Sequence, residues 1–378
     1  MIRFERNLDT PRWVRIALPI ASLVLAGILS GLVLLLSGHD PLDTYGQIYA
    51  ASFTSPGALT ATFVYMTPLL FTGLGVAVAF RMRVWNIGGE GQLYLGAIGA
   101  SGVGLLLGDW PSPIVIAAMI LAGMAAGALW ALIPGILRAY LRTNEILVSL
   151  MLNYVAGLLL YLLVYDSKSF WRDLTSPSAL VFPQGKNLAA AAAWPGVLFE
   201  SFNLPFGLVL GVALAIAVAA VMRSTRFGFE MRVMGDSPAA ATYSGIRVRR
   251  LILMVMVISG ALAGLAGASQ IGDFGHVLDP RGLQQAQYGY TGIVVAALAL
   301  YDPIAIVVVS LLLGALINAG FALQGPSFPA GLVGVMEGII LFSVLGGEIL
   351  GRYRIRLGRQ GEEPAGLDRP PAQAAAAE

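Results

Sequence analysis

RTNEILVSLMLNYVAG, from Arg142 to Gly157, is an apolar helical stretch that carries Glu145, Ser149 and Asn153 at i, i+4 and i+8. That spacing puts all three on one helix face. Polar groups on a membrane helix are costly in lipid, so such a stripe is expected to face a bundle interior or a water-filled path. Around it, 57% of residues are hydrophobic, only 12% are charged, and the mean hydropathy is +0.78. A globular chain carries about 25% charged residues, so this composition indicates a polytopic membrane protein.

An apolar run from Ile16 to Leu36 is longer than the roughly 7–15-residue core of a signal peptide and reads as a retained first span. Further spans are expected at 58–80, 92–108, 113–137, 146–165, 204–222, 251–271, 291–301, 303–323 and 329–347, ten in all, the short 291–301 being the weakest. Of the 23 Lys and Arg residues, this count leaves Lys168, Arg172, Lys186 and Arg281 on one side and the other 19 opposite. The positive-inside rule then puts both termini in the cytoplasm, and nine spans would send the Arg-rich end outside.

Two connections are long. Residues 166–203 fall outside, with Trp171, Trp194 and three prolines in an alanine-rich stretch, and read as an interfacial loop, a docking surface or a plain connector. Residues 223–250 fall inside. There Asp236 or Ser237 is placed to cap a short helix to Tyr243 with Pro238 in its first turn, which suits a soluble partner or a solvated basic loop equally. Residues 1–356 make one transmembrane domain, and the Ala-, Pro- and charge-rich 357–378 is expected to be a disordered tail.

Small residues recur at helix-packing spacing as Gly27 and Gly31, Gly123 and Gly127, and Gly260 and Gly264. A faint repeat links Thr72-Gly73 and Val76-Ala77 with Thr291-Gly292 and Val295-Ala296. The segments 92–108 and 291–301 are both short and flanked by Gly or Pro, an interruption that points to a substrate region in two-halved transporters.

Candidate path residues follow from polarity at membrane depth. Asn86, Glu90 and Gln92 surround three glycines in four residues, either a cavity wall or a tight turn capped by Asn86. Asn144 precedes the Glu145, Ser149 and Asn153 stripe, and Glu337 sits between Gly334 and Gly338 as a structural group or a path group. Catalytic sets are absent: no HExxH, no GxSxG and no cysteine, while His39 and His276 fall in outside loops. No metal set is expected. The phosphate loop G-x-x-x-x-G-K-[ST] is missing too, so the chain cannot itself couple transport to ATP.

Asn86-Ile87-Gly88-Gly89-Glu90-Gly91-Gln92, Asn144-Glu145 with Met151-Leu152-Asn153-Tyr154, Gly235 with Ala239-Ala240 and Ser244-Gly245-Ile246, and Gly289-Tyr290-Thr291-Gly292-Ile293 form a motif series. It resembles the permease subunits of bacterial ABC importers in the ribose/branched-chain amino acid permease superfamily, specifically the nucleoside-type branch. The likeness runs from about Arg12 to Arg352, with Gly89 where alanine is common. It implies a transport subunit, not an enzyme, in a bacterial cytoplasmic (inner) membrane. The partners it implies are a separate ABC ATPase holding ATP and Mg, a second permease copy or paralogue, and an outside binding protein or lipoprotein that delivers a nucleoside. By the same resemblance Arg226, Glu230, Gly235, Ala239, Ala240, Ser244, Gly245 and Ile246 would form the ATPase coupling segment. A sugar or branched-chain amino acid importer is the alternative within the superfamily, and an ion-coupled secondary transporter the alternative outside it.

Overall fold

Long runs of Leu, Val, Ile and Ala become helices because a helix satisfies its own backbone groups where no water can. The computed structural model describes residues 2–6, 12–166, 168–199, 202–325 and 330–357. In chain order these form β1 (Ile2–Arg6), α1 (Arg12–Leu36), α2 (Pro41–Tyr49), α3 (Ala58–Arg81), α4 (Gly89–Leu106), α5 (Ser112–Leu141) and α6 (Glu145–Tyr161). Beyond α6 come α7 (Pro177–Val181), β2 (Val197–Leu198), β3 (Asn203–Leu204), α8 (Phe206–Ser224), α9 (Arg226–Asp236), α10 (Pro238–Tyr243) and α11 (Val248–Ser269). The chain ends with α12 (Pro280–Ala286), α13 (Tyr288–Leu298), α14 (Pro303–Ala322), α15 (Ala330–Arg352) and β4 (Tyr353–Leu357).

Contacts divide the chain into two units, 1–33 with 338–378, and 34–337. In the first, β1 and β4 pair antiparallel, with Ile2 opposite Leu357 and Arg6 opposite Tyr353. This ribbon departs from the all-α expectation and extends order to Leu357, one residue into the expected tail; residues 358–378 lie outside the described ones. In the second unit the expected outside loop holds α7 and the β2–β3 hairpin, a further departure.

Six described helices are long and apolar enough to cross a bilayer: α3, α5, α6 with its π-helical extension to Asp166, α8, α11 with its extension to Gly275, and α14. The chain is thus an all-α polytopic membrane protein apart from the two ribbons. Burial sorts these helices, since 89% of the apolar stretch of α3 and 72% of that of α11 are covered by protein, against 28% for both α5 and α6. The rest of the outer pair is left uncovered by the described residues of this chain.

The expected spans 16–36, 92–108, 291–301 and 329–347 are not among the six; 92–108 and 291–301 correspond to α4 and α13. α4 is buried almost throughout, so it is solvated by helices and tolerates Glu90 and Gln92. α13 has 11 residues, a length of about 16 Å at 1.5 Å per residue, and is too short to cross a roughly 30 Å core alone. α12 precedes it across a break at Gln287, whose φ is +49°.

Close glycine contacts set the inner packing. A Cβ at Gly127 would collide with the Gly260 carbonyl, and one at Gly264 with the Gly123 carbonyl, so the two glycine pairs expected from spacing pack against each other. Gly96 of α4 approaches Gly264 as closely. A Cβ at Gly27 would meet nothing within 4 Å among the described residues.

The faint repeat also closes on itself. A Cβ at Gly73 would lie 3.0 Å from Val295, and one at Gly292 would collide with Thr72, so the two copies pack face to face between α3 and α13. Thr72 donates to the Tyr288 carbonyl across that contact at 3.1 Å.

Candidate functional site

The N-termini of α4 and α13 meet. Gly289 allows the contact, because a Cβ there would collide with the Glu90 backbone. From the first turn of α4 the Glu90 carboxylate accepts from two amides in the first turn of α13, Gly289 N–H at 2.6 Å and Tyr290 N–H at 3.2 Å. Its other oxygen accepts from the Tyr94 hydroxyl at 2.7 Å. A carboxylate at a helix N-terminus satisfies orphan amides and complements the helix dipole, which holds two non-sequential helix ends together.

Asn153 of α6 ties down the same junction. Its carbonyl accepts from Gly91 N–H at 2.9 Å, while its amide donates to the Ile87 carbonyl at 2.9 Å and the Tyr290 hydroxyl at 3.1 Å. The polar stripe of α6 faces inward as its spacing requires: Glu145, Ser149 and Asn153 are buried, whereas Leu147, Met151, Tyr154 and Leu158 are exposed.

A cavity of about 290 Å³ opens beside this junction. Glu90, Asn153 and the rings of Tyr94 and Tyr290 form its inner wall. Tyr154, Gly157 and Tyr161 line it from α6, and Gln284 and Gln287 from α12 and the break after it. Gln284 donates to the Gly157 carbonyl at 3.1 Å, bridging the two sides.

Of the eight expected path residues, Glu90 and Asn153 reach this cavity. Asn86 and Gln92 instead pair amide to amide, at 2.8 and 3.0 Å, and Asn86 donates to Ser259 of α11 at 2.9 Å. Asn86 also accepts from Gly88 N–H at 3.1 Å, so it caps the turn and braces α4 against α11 at once. Asn144 caps α6 by accepting from Ile146 and Leu147 N–H. Glu145 pairs with Arg138 at 3.3 Å and accepts from Trp85 N–H at 3.4 Å, linking α5, α6 and the turn before α4. Ser149 donates within its own helix to the Ile146 carbonyl. Glu337 falls among side chains outside the described residues.

Tyr94, Tyr161, Gln284 and Gln287 were not singled out from the sequence. Tyr94 follows Glu90 by four residues, and Tyr161 follows Tyr154 by seven on the same helix, so helical spacing was the available signal. Nothing local marks the glutamines, which arrive from a segment more than 120 residues away from α6.

The inside connection forms α9, α10 and a turn. α9 lies against the end of α3, where a Cβ at Gly235 would collide with the Arg81 carbonyl. Ser237 caps α10 by accepting from Ala240 N–H, with Pro238 in the first turn as expected. After α10, Gly245 has φ +76°, donates to the Thr242 carbonyl, and lets Ile246 N–H reach the Ala241 carbonyl, the two bonds of a Schellman turn. Arg226 pairs with Glu230 at 2.8 Å, and both line a 480 Å³ groove with Gly245, Ile246, Arg247 and Arg250. Ala239, Ala240 and Ser244 are exposed on the same segment.

Comparison with known proteins gives consistent matches. Residues 58–345 match the family described as "Branched-chain amino acid transport system / permease component". The nucleoside ABC transporter permease protein NupB of Lactococcus lactis is 28% identical over 333 residues, 87% of this chain and 90% of its own. The guanosine ABC transporter permease protein NupP of Bacillus subtilis is 31% identical over 81% of this chain and 85% of its own. The glucose ABC transporter permease protein TsgB13 of Haloferax volcanii is 31% identical over 94% and 93%.

Proposed function

The chain belongs to the branched-chain amino acid transport system permease family, and from that premise we propose that it is the membrane subunit of an ABC importer for nucleosides. One observation carries the substrate: its likeness to the nucleoside and guanosine permeases extends over most of both chains. The 290 Å³ cavity, close to the roughly 300 Å³ lower end of ligand sites, suits a small molecule of nucleoside size. A second reading, a sugar importer, is favoured by the likeness to the glucose permease over nearly the whole length.

In this reading the chain crosses the cytoplasmic membrane ten times, with α12 and α13 together making one broken crossing. The β1–β4 pairing supports an even count, since it holds residues 2–6 beside 353–357. The excess of arginine at those ends supports their placement in the cytoplasm. A partner ATPase binds ATP and Mg, a second permease completes the membrane part, and an outside binding protein delivers the ligand. ATP-driven closure of the ATPases biases the permease between outward- and inward-open states.

The segment from Arg226 to Ile246 is the ATPase contact: exposed Ala239, Ala240 and Ser244 would meet the ATPase, and Gly235 would pass movement to α3. Path roles differ by residue. Glu90 and Asn153 shape the cavity, while Asn86, Gln92, Asn144, Glu145 and Ser149 hold the helices that carry it. Glu337 remains a path candidate on its polarity alone.

Uptake of radiolabelled guanosine, cytidine, glucose and leucine into proteoliposomes holding this chain with its partner permease, ATPase and binding protein tests the proposal. ATP-dependent nucleoside uptake is expected. Uptake of glucose or leucine alone would replace the substrate, and uptake without ATP would remove the ABC mechanism.

A further inference from the structure

Hydrogen-bonding capacity in the cavity is unevenly spent. Both amide protons of Asn153 are committed, to the Ile87 carbonyl and the Tyr290 hydroxyl, and its oxygen already accepts from Gly91. Glu90 accepts three hydrogen bonds, from Gly289, Tyr290 and Tyr94. These two groups are the ones a sugar hydroxyl would be expected to seek, and both are engaged with the protein.

What faces the cavity with capacity to spare is different in kind. The rings of Tyr94, Tyr154, Tyr161 and Tyr290 supply aromatic surface, and an aromatic ring stacks on any planar base because every base has a π-face. Gln284 uses one amide proton on Gly157, and its carbonyl accepts no hydrogen bond among the described residues. The side chain of Gln287 makes no hydrogen bond among the described residues, and the left-handed backbone there sets it at the break between α12 and α13. A glutamine amide offers a donor and an acceptor side by side, the pattern that reads the edge of a nucleobase.

Resting on the nucleoside reading above, we propose that this cavity binds the base rather than the ribose, with the tyrosine rings stacking on it and Gln284 and Gln287 determining which base is accepted. Glu90 and Asn153 are positioning residues in this arrangement, fixing Tyr94 and Tyr290. The specificity of the transporter is then set in part by the permease itself and not only by the binding protein.

The test uses the complete reconstituted transporter with guanosine, adenosine, cytidine and glucose as probes, comparing wild type with Gln284→Leu and Gln287→Leu. Wild type is expected to prefer one base, and each variant to flatten that preference by about tenfold, the scale of losing one hydrogen-bonded reading contact. Gln287→Leu covers the case in which Gln284→Leu, which also releases Gly157, fails to assemble. Nucleoside uptake with the base preference unmoved in the assembled variants would overturn base reading while leaving the nucleoside importer intact. So would a wild type with no preference, or variants that lose uptake of all nucleosides in equal proportion. Uptake of glucose with no nucleoside transported would instead overturn the nucleoside reading itself.

Discussion

Glu90 is a buried carboxylate whose partners are two backbone amides and a phenol, all donors. Replacing it by Gln puts an NH₂ where at least one of those donors points. Hydrogen bonds to charged groups are worth about 1.5–3 kcal/mol each, so Glu90→Gln should lower the stability of the purified complex by about 2–3 kcal/mol. A thermal melt in detergent reads this, and an unchanged midpoint would mean the α4–α13 junction does not depend on the carboxylate. Asn153→Leu strands the Gly91 N–H and the Ile87 carbonyl, so it should reduce both uptake and melting temperature. A loss of uptake with the melt unmoved would restore Asn153 as a direct ligand contact. Outside the membrane, hydrogen bonds from the Ser176 hydroxyl and from the Thr175 amide and hydroxyl hold the Asp173 carboxyl well below the usual carboxylate range. A depressed folded pKa contributes stability above the unfolded value of about 3.9 and loses it as the pH falls below that value. Asp173→Ala should therefore speed tryptic cleavage after Arg172 several-fold at pH 7. Wild type should lose amide protection at Thr175 and Ser176 only in acid, as hydrogen exchange would show.

At the scale of elements, the α5–α11 contact and the turn after α10 make opposite demands on glycine. Gly264 must lack a Cβ because the α5 backbone fills the space, and overpacking there costs about 1–3 kcal/mol or forces the helices apart. Gly264→Leu should therefore abolish the folded protein, which size-exclusion chromatography in detergent would show as aggregate. Gly245 has open space around it, and its requirement is the left-handed φ, which costs a residue with a Cβ about 1–2 kcal/mol. Gly245→Ala should leave assembly intact and reduce substrate-stimulated ATP hydrolysis; wild-type coupling in this variant would remove the turn from the ATPase contact. The glycine pairs were legible because packing in lipid selects small residues at a fixed spacing. The Schellman turn was legible only as a motif, since its φ is a property of the folded backbone.

For the whole molecule, the sides assigned to the two long connections can be tested directly because the sequence has no cysteine. A single cysteine replacing Leu198, 81% exposed, should react with an impermeant maleimide in intact cells, whereas one replacing Tyr243, 96% exposed, should react only after lysis. Labelling of both from outside would break the alternation across α8.

Six of the expected apolar spans, the inward face of α6, the capped helix after Ser237 and two of the three small-residue packing pairs were determined by the sequence. Each depends on composition or spacing within one or two dozen residues, where hydropathy and helical period act locally. The sequence also pointed to the two short, glycine-flanked segments, now α4 and α13. Only the tertiary structure decided that their N-termini meet, that Glu90 spans 199 residues of chain to bind Gly289, and that tyrosines and glutamines from four elements enclose one cavity. Hydrogen-bond partners across such separations are chosen by packing, and no local pattern in the chain carries that choice.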